Sequence, residues 1–220
     1  MFNLTRADRR VTQDIDFDFI RYSIDEQSIK MFVDKLNSVS DGIAVFINGA
    51  IEKLHQEDYQ GARIHLILED EERNRINTKI DIGVHTYTAI EQNKIVFLFE
   101  KGNKSIKLKV NPCEQIFSEK LLSLSRLGPL STRYKDIYDL YYLIANKLID
   151  LTKIRNILNL FFKSSQRKPD NINELVDSII DTLNDKNFSS EAEKPASRWI
   201  DISYNETKET IIAFISKLIE

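Results

Sequence analysis

Arg10-Val11-Thr12-Gln13-Asp14-Ile15-Asp16-Phe17-Asp18 is the stretch on which the fold turns, because it alternates strictly. As a strand it aims Asp14, Asp16 and Asp18 at one side, and Ile15, Phe17 and Phe19 at the other. The apolar side suits a core. The other side stacks carboxylates roughly 7 Å apart along the strand. Like charges crowded this way repel unless a cation or cationic ligand neutralises them. Hard oxygen donors suit Mg²⁺, which takes one or two carboxylates and fills its shell with water and phosphate oxygens. A solvated acidic strand edge is the alternative. Arg9, Arg10 and Thr12 just upstream favour the metal, because they can hold the phosphate such an ion serves.

Bulk properties narrow the classes. A chain of 220 residues can form one large domain or two small ones with a proper core. A formal charge of −3 gives no global field for polyanions, so nucleic acid contact would rest on a local patch. The single cysteine, Cys113, excludes an internal disulfide and a cysteine-ligated zinc site. With no signal peptide and no apolar run of about 18 residues, the expectation is a soluble, cytoplasmic protein without a membrane role. His55, His65 and His85 are scattered and make no metal box.

Texture changes once along the chain. Short alternating runs at 63–68, 78–84, 95–99 and 106–110 predict strands, with Lys101-Gly102-Asn103 as a hairpin turn between the last two. Ile29, Phe32, Val33 and Leu36 share one helical face, which predicts a helix over about 25–38. After Pro112 the pattern is helical. One helix is expected from Cys113 to Leu127, stopping at Gly128-Pro129, and another from about Arg133 to Leu148. Asn171 to Glu174 and Ser203 to Glu206 look like capping boxes opening two more. Residues 187–198 are polar, contain Pro195, and are expected to form a loop. The fold class is therefore α+β: a mixed sheet with flanking helices over 1–112, then a helical region over 113–220.

Three further features bear on chemistry. In Lys79-Ile80-Asp81-Ile82-Gly83, Asp81 faces away from Ile80 and Ile82 and could join Asp14 and Asp16 if the strands are neighbours. A third carboxylate on an adjacent strand is what a two-metal phosphoryl-transfer site needs; a solvated acid is the alternative. Lys120 sits in an apolar stripe with Ile116 and Leu124, so it must snorkel to water or meet an anion such as a nucleotide phosphate. In Arg133-Tyr134-Lys135-Asp136-Ile137-Tyr138-Asp139, Asp136 and Asp139 share one helical face near the positive N-terminal end. They could simply complement the dipole, or with Arg133 and Lys135 orient Lys120 or contact a nucleotide.

Five blocks occur in order: Arg10-Val-Thr-Gln-Asp-Ile-Asp-Phe17, Tyr59-Gln-Gly-Ala-Arg63, Lys79-Ile-Asp-Ile-Gly83, Pro112-Cys-Glu-Gln-Ile-Phe-Ser-Glu-Lys120 and Arg133-Tyr-Lys-Asp-Ile-Tyr-Asp139. The series resembles the AbiEii-type nucleotidyltransferase toxins, which include the MenT toxins, within the polymerase-β-like nucleotidyltransferase superfamily. The resemblance runs over about 3–148. It implies a nucleotidyltransferase-like sheet, a helical C-terminal region, and Mg²⁺-dependent transfer of a nucleoside monophosphate from an NTP. It also implies an RNA acceptor such as tRNA, and a separately encoded antitoxin partner in a toxin–antitoxin or abortive-infection module. Carried onto matching positions, Asp14 and Asp16 hold the metals, with Asp81 as a third metal carboxylate. Lys120 contacts the nucleotide phosphates, Asp136 is a further acid needed for activity, and Arg10, Thr12 and Arg133 steady the nucleotide.

One departure bears on activity. The superfamily carries a Gly-Ser or Gly-Gly turn shortly before the first acids, whose N–H groups cradle the triphosphate. No glycine precedes Asp14 in this sequence. The expectation is that the chain as given lacks that turn at its N-terminal side. The alternative function is then a truncated, non-catalytic nucleotidyltransferase scaffold that binds a protein partner.

Overall fold

A computed structural model of the chain describes residues 15–20, 23–40, 42–56, 59–84, 89–98, 105–164 and 169–220. The described residues divide into two compact units, one within 11–88 and the other within 89–220.

The first unit is a mixed sheet with one helix. β1 (Ile15–Phe19) is followed by α1 (Glu26–Val39), β2 (Ile43–Ile47), β3 (Glu52–Gln56), β4 (Tyr59–Asp70) and β5 (Arg75–Val84). The strand order is β1-β5-β4-β2, and β3 also pairs with β4. β1 runs parallel to β5, while the remaining pairs are antiparallel. β4 is long enough to hold β3 along its first half and β2 along its second.

Alternation explains how the sheet is dressed. Ala62, Ile64 and Leu66 of β4, Ile82 of β5 and Val45 of β2 are buried together with Ile29 and Val33 of α1. Phe19 joins this core through an edge-on contact with Phe32 at 5.2 Å. The helix is closed at its start by Asp25, whose carboxylate accepts from the Ser28 N–H at 2.8 Å. Odd-numbered β4 and β5 residues Arg63, His65, Lys79 and Asp81 take the opposite face. The expected strand at the first acidic block and the helix behind it are both present; Lys101-Gly102-Asn103 lies outside the described residues.

The second unit begins with a hairpin, β6 (Asn93–Leu98) and β7 (Ser105–Val110), paired antiparallel. Helices follow: α2 (Cys113–Leu127), α3 (Tyr134–Ala145), α4 (Leu151–Ser164), α5 (Ile172–Asn184), α6 (Lys186–Ala192) and α7 (Tyr204–Ile215). α2 packs against α3, α4 and α5, and α3 packs against α6 and α7. Phe117, Leu121, Tyr138, Leu140, Leu158 and Ile179 are among its fully buried side chains. Gly128 ends α2 at φ +55, ψ −144, a conformation that glycine alone adopts readily, and Pro129 stops continuation. No helix among the described residues is long and apolar enough to cross a membrane.

The segment 187–198 departs from the expected loop, because α6 occupies its first part. Asp185 caps it, accepting from the N–H groups of Asn187 at 2.9 Å and Phe188 at 2.8 Å. Burial of Phe188 and Ala192 then holds the short helix against the bundle.

Candidate functional site

The acidic face of the sheet is built by register. Asp16 on β1 stands opposite Asp81 on β5, and Asp81 stands opposite Arg63 on β4. Residues paired this way share a face, so one row across three strands carries Asp16, Asp81 and Arg63. The guanidinium grips Asp81 from the side: Nε donates to Oδ1 and Nη2 to Oδ2, each at 2.7 Å. Hydrogen bonding from Arg63 holds the Asp81 carboxyl below its ordinary range, against the opposing effect of burial. Asp18 extends the row on β1, opposite Gly83. Asp14, Arg10 and Thr12 lie outside the described residues.

A hard, oxygen-only donor set with two cross-strand acids at one register fits a magnesium ion in kind. Among the described residues, no three His, Cys, Asp or Glu groups gather closely enough to hold a metal.

The second cluster belongs to the helical unit. Lys120 comes from α2, while Asp136 and Asp139 come from α3 three residues apart, on one face. The Lys120 ammonium donates to Asp136 and lies 2.9 Å from Asp139. Side-chain exposure is 16% for Lys120, 13% for Asp136 and nil for Asp139. Burial would pull the lysine pKa down, but the two carboxylates, Asp139 foremost, overcome it and raise it. Arg133 adds a looser contact, with Nη1 3.7 Å from Asp136 Oδ2. An open pocket of about 340 Å³ adjoins Asp136, lined by residues 132–136 together with Ala196 and Ser197.

The structure thus pairs Asp16 with Asp81 in register, and places Lys120 beside Asp136, which Arg133 also approaches. The anion met by Lys120 is a carboxylate pair of its own chain. Two residues without a specific assigned role from sequence are central to these clusters. Arg63 stood in a quoted block but had no visible partner, because its pairing with Asp81 needs the β4–β5 register. Asp139 was recognisable only by its three-residue spacing from Asp136, which cannot reveal complete burial.

The sequence model of one protein family, described as nucleotidyl transferase AbiEii toxin of type IV toxin–antitoxin systems, matches residues 2–206. The chain belongs to this family. No curated protein matches the chain. The matched span of this AbiEii member contains both clusters, together with Arg10, Thr12 and Asp14. The family is one of nucleotidyl transferases acting as toxins. That class of chemistry calls for charge neutralisation around a triphosphate, and carboxylates that hold cations are a standard means of achieving it.

Proposed function

We propose that this AbiEii-family protein transfers a nucleoside monophosphate from an NTP to an RNA hydroxyl, with tRNA as the acceptor class and Mg²⁺ as the cofactor. The observation that supports it most is the alignment of Asp16 with Asp81 on adjacent parallel strands. Asp14 and Asp16 hold the metal, with Asp81 as the third acid. Bound Mg²⁺ supplies charge neutralisation of the triphosphate and polarisation of the α-phosphorus. Arg10 and Thr12 steady the phosphates.

Lys120 contributes as a point charge. An ammonium has three N–H donors, and Asp136 and Asp139 engage two directions, leaving one for a phosphate oxygen. Asp136 and Asp139 keep that lysine charged and fixed, so its field is in place before the nucleotide arrives. Arg133 and Lys135, both at the rim of the pocket, offer further phosphate contacts. Attack by the RNA hydroxyl on the α-phosphorus forms the new phosphodiester and releases pyrophosphate. An RNA acceptor places this work in the cytoplasm, and a cognate antitoxin protein would restrain it.

The test is label transfer. The purified chain is incubated with Mg²⁺, total bacterial tRNA and each α-labelled NTP in turn, with Asp14→Asn/Asp16→Asn as the blank. Label on RNA with one NTP, absent from the blank, is the expected result. Equal label in chain and blank, or none with any NTP, would remove the transferase reading.

A further inference from the structure

We infer that Arg63 is the positioning residue of the acidic face: by gripping Asp81 from the side, it sets that carboxylate's orientation toward β1 and thereby the affinity of the face for a divalent cation. The inference rests on the metal reading of Asp14, Asp16 and Asp81. Its own support is geometric. Both carboxylate oxygens accept from one planar guanidinium at 2.7 Å, an arrangement that fixes the carboxylate plane as well as its place. An aspartate accepts about four hydrogen bonds or metal bonds, so each oxygen keeps a free direction after Arg63 has taken one. Those remaining directions are what a cation uses.

The register gives the grip its purpose. Asp81 is the middle member of the row Asp16–Asp81–Arg63, so Arg63 approaches from β4 while Asp16 lies on the β1 side. Arg63 also offsets the negative charge of Asp81. The pair is not sealed in a core: side-chain exposure is 31% for Arg63 and 20% for Asp81, so ions can reach it. β4 and β5 are already joined by a ladder from Gly61↔Gly83 to Glu69↔Arg75, so the strands do not depend on this pair for register. Hydrogen-bonded partners that orient metal-binding carboxylates usually matter by about 10–100-fold in metal affinity.

Mn²⁺ alone is the probe, titrated into the full chain while free Mn²⁺ is read by electron paramagnetic resonance. The variants are Arg63→Gln, Arg63→Lys, Asp81→Asn and Asp16→Asn, each checked by circular dichroism. The expected result is Mn²⁺ binding by the unaltered chain, weakened about 10–100-fold in both Arg63 variants and at least as much in Asp81→Asn. Lysine keeps the charge but cannot reproduce the two-point grip, so Arg63→Lys isolates orientation from charge. Wild-type affinity in Arg63→Lys and Arg63→Gln, with loss in Asp16→Asn, would overturn the inference while leaving the metal reading intact. Mn²⁺ binding no stronger in the unaltered chain than in Asp16→Asn would overturn both.

Discussion

At the residue scale, the Lys120 cluster shows how much depends on one cation. Asp139 has no side-chain exposure, and Lys120 is its counter-charge at 2.9 Å. Removing one partner of a buried pair leaves the other charge uncompensated, which typically costs about 3–5 kcal/mol. Lys120→Met should therefore lower the unfolding free energy of the helical unit, read from a urea titration, by an amount in that range. A change of less than about 1 kcal/mol would mean Asp139 finds other compensation. Lys120→Met/Asp136→Leu/Asp139→Leu should recover much of the loss, since it also removes both carboxylates that the lysine faces. The sequence made Lys120 and Asp136 legible as chemistry, because a lysine in an apolar stripe demands an anion. It left the choice between snorkelling and an anion open, because the meeting of α2 with α3 is a tertiary fact. Arg63 was opaque for the same reason: eighteen residues and a register separate it from Asp81.

At the element scale, α1 does more than cover the sheet. β2 lies at the edge of the strand order, and its sequence Ile43-Ala44-Val45-Phe46-Ile47 carries no charge to deter pairing with another chain. Asn37 of α1 occupies that edge: its Nδ2 donates to the Val45 carbonyl at 2.8 Å, and its Oδ1 accepts from the Val45 N–H at 2.7 Å. The carboxamide thus stands in for a neighbouring strand. Asn37→Ala should cost about 1–3 kcal/mol, from two hydrogen bonds at the usual net value each. It should also raise concentration-dependent self-association, measured by light scattering across a dilution series. Unchanged stability and association would show that the edge needs no such cover. Asp185→Ala should loosen α6 by about 0.5–2 kcal/mol through loss of its cap, readable by hydrogen exchange of the Asn187 and Phe188 amides.

The same elements show where local pattern suffices. The helix caps expected at Asn171 and Ser203 form, with the Glu174 N–H donating to Asn171 at 2.9 Å and the Glu206 N–H to Ser203 at 3.2 Å. α2 spans the expected residues because Pro112 and Gly128 bound it. α6 was hidden by polar composition and by Pro195, and it exists because Phe188 and Ala192 find a buried place. Tyr138 adds a hydrogen bond from its hydroxyl to the Ala192 carbonyl at 2.9 Å. β3 was equally hidden: Glu52, Lys53 and Gln56 argue weakly for a strand, and pairing with β4 decides the matter.

At the scale of the whole molecule, the two units differ in how they should respond to pH. Burial pushes the Tyr138 hydroxyl up to about 12 and raises Tyr204 as well, both within the helical unit. Lys120 is raised there too, with its two aspartates outweighing burial. Groups whose folded pKa lies above the unfolded value stabilise fully below that unfolded value, and the contribution is lost as pH rises through the folded one. The helical unit should therefore weaken from about pH 10 upward. Asp81 in the sheet unit has the opposite sign: its contribution is present above the ordinary carboxylate range and is lost as pH falls through the lowered value. Trp199, the single tryptophan, is buried beside Tyr142 at 5.4 Å and so reports on the helical unit alone. Its fluorescence should shift in an alkaline titration from about pH 10; a flat signal past about pH 12 would contradict the assignment.

The central claim is that this chain moves the α-phosphoryl group of an NTP, with its nucleoside, onto RNA. Parallel reactions with α-labelled and γ-labelled NTP, Mg²⁺ and total tRNA test it most directly, with released pyrophosphate measured in both. The expected result is label on RNA from the α-position only, matched by one pyrophosphate per nucleotide added and abolished in Asp16→Asn. Label on RNA from the γ-position, or pyrophosphate release that persists in Asp16→Asn, would contradict it.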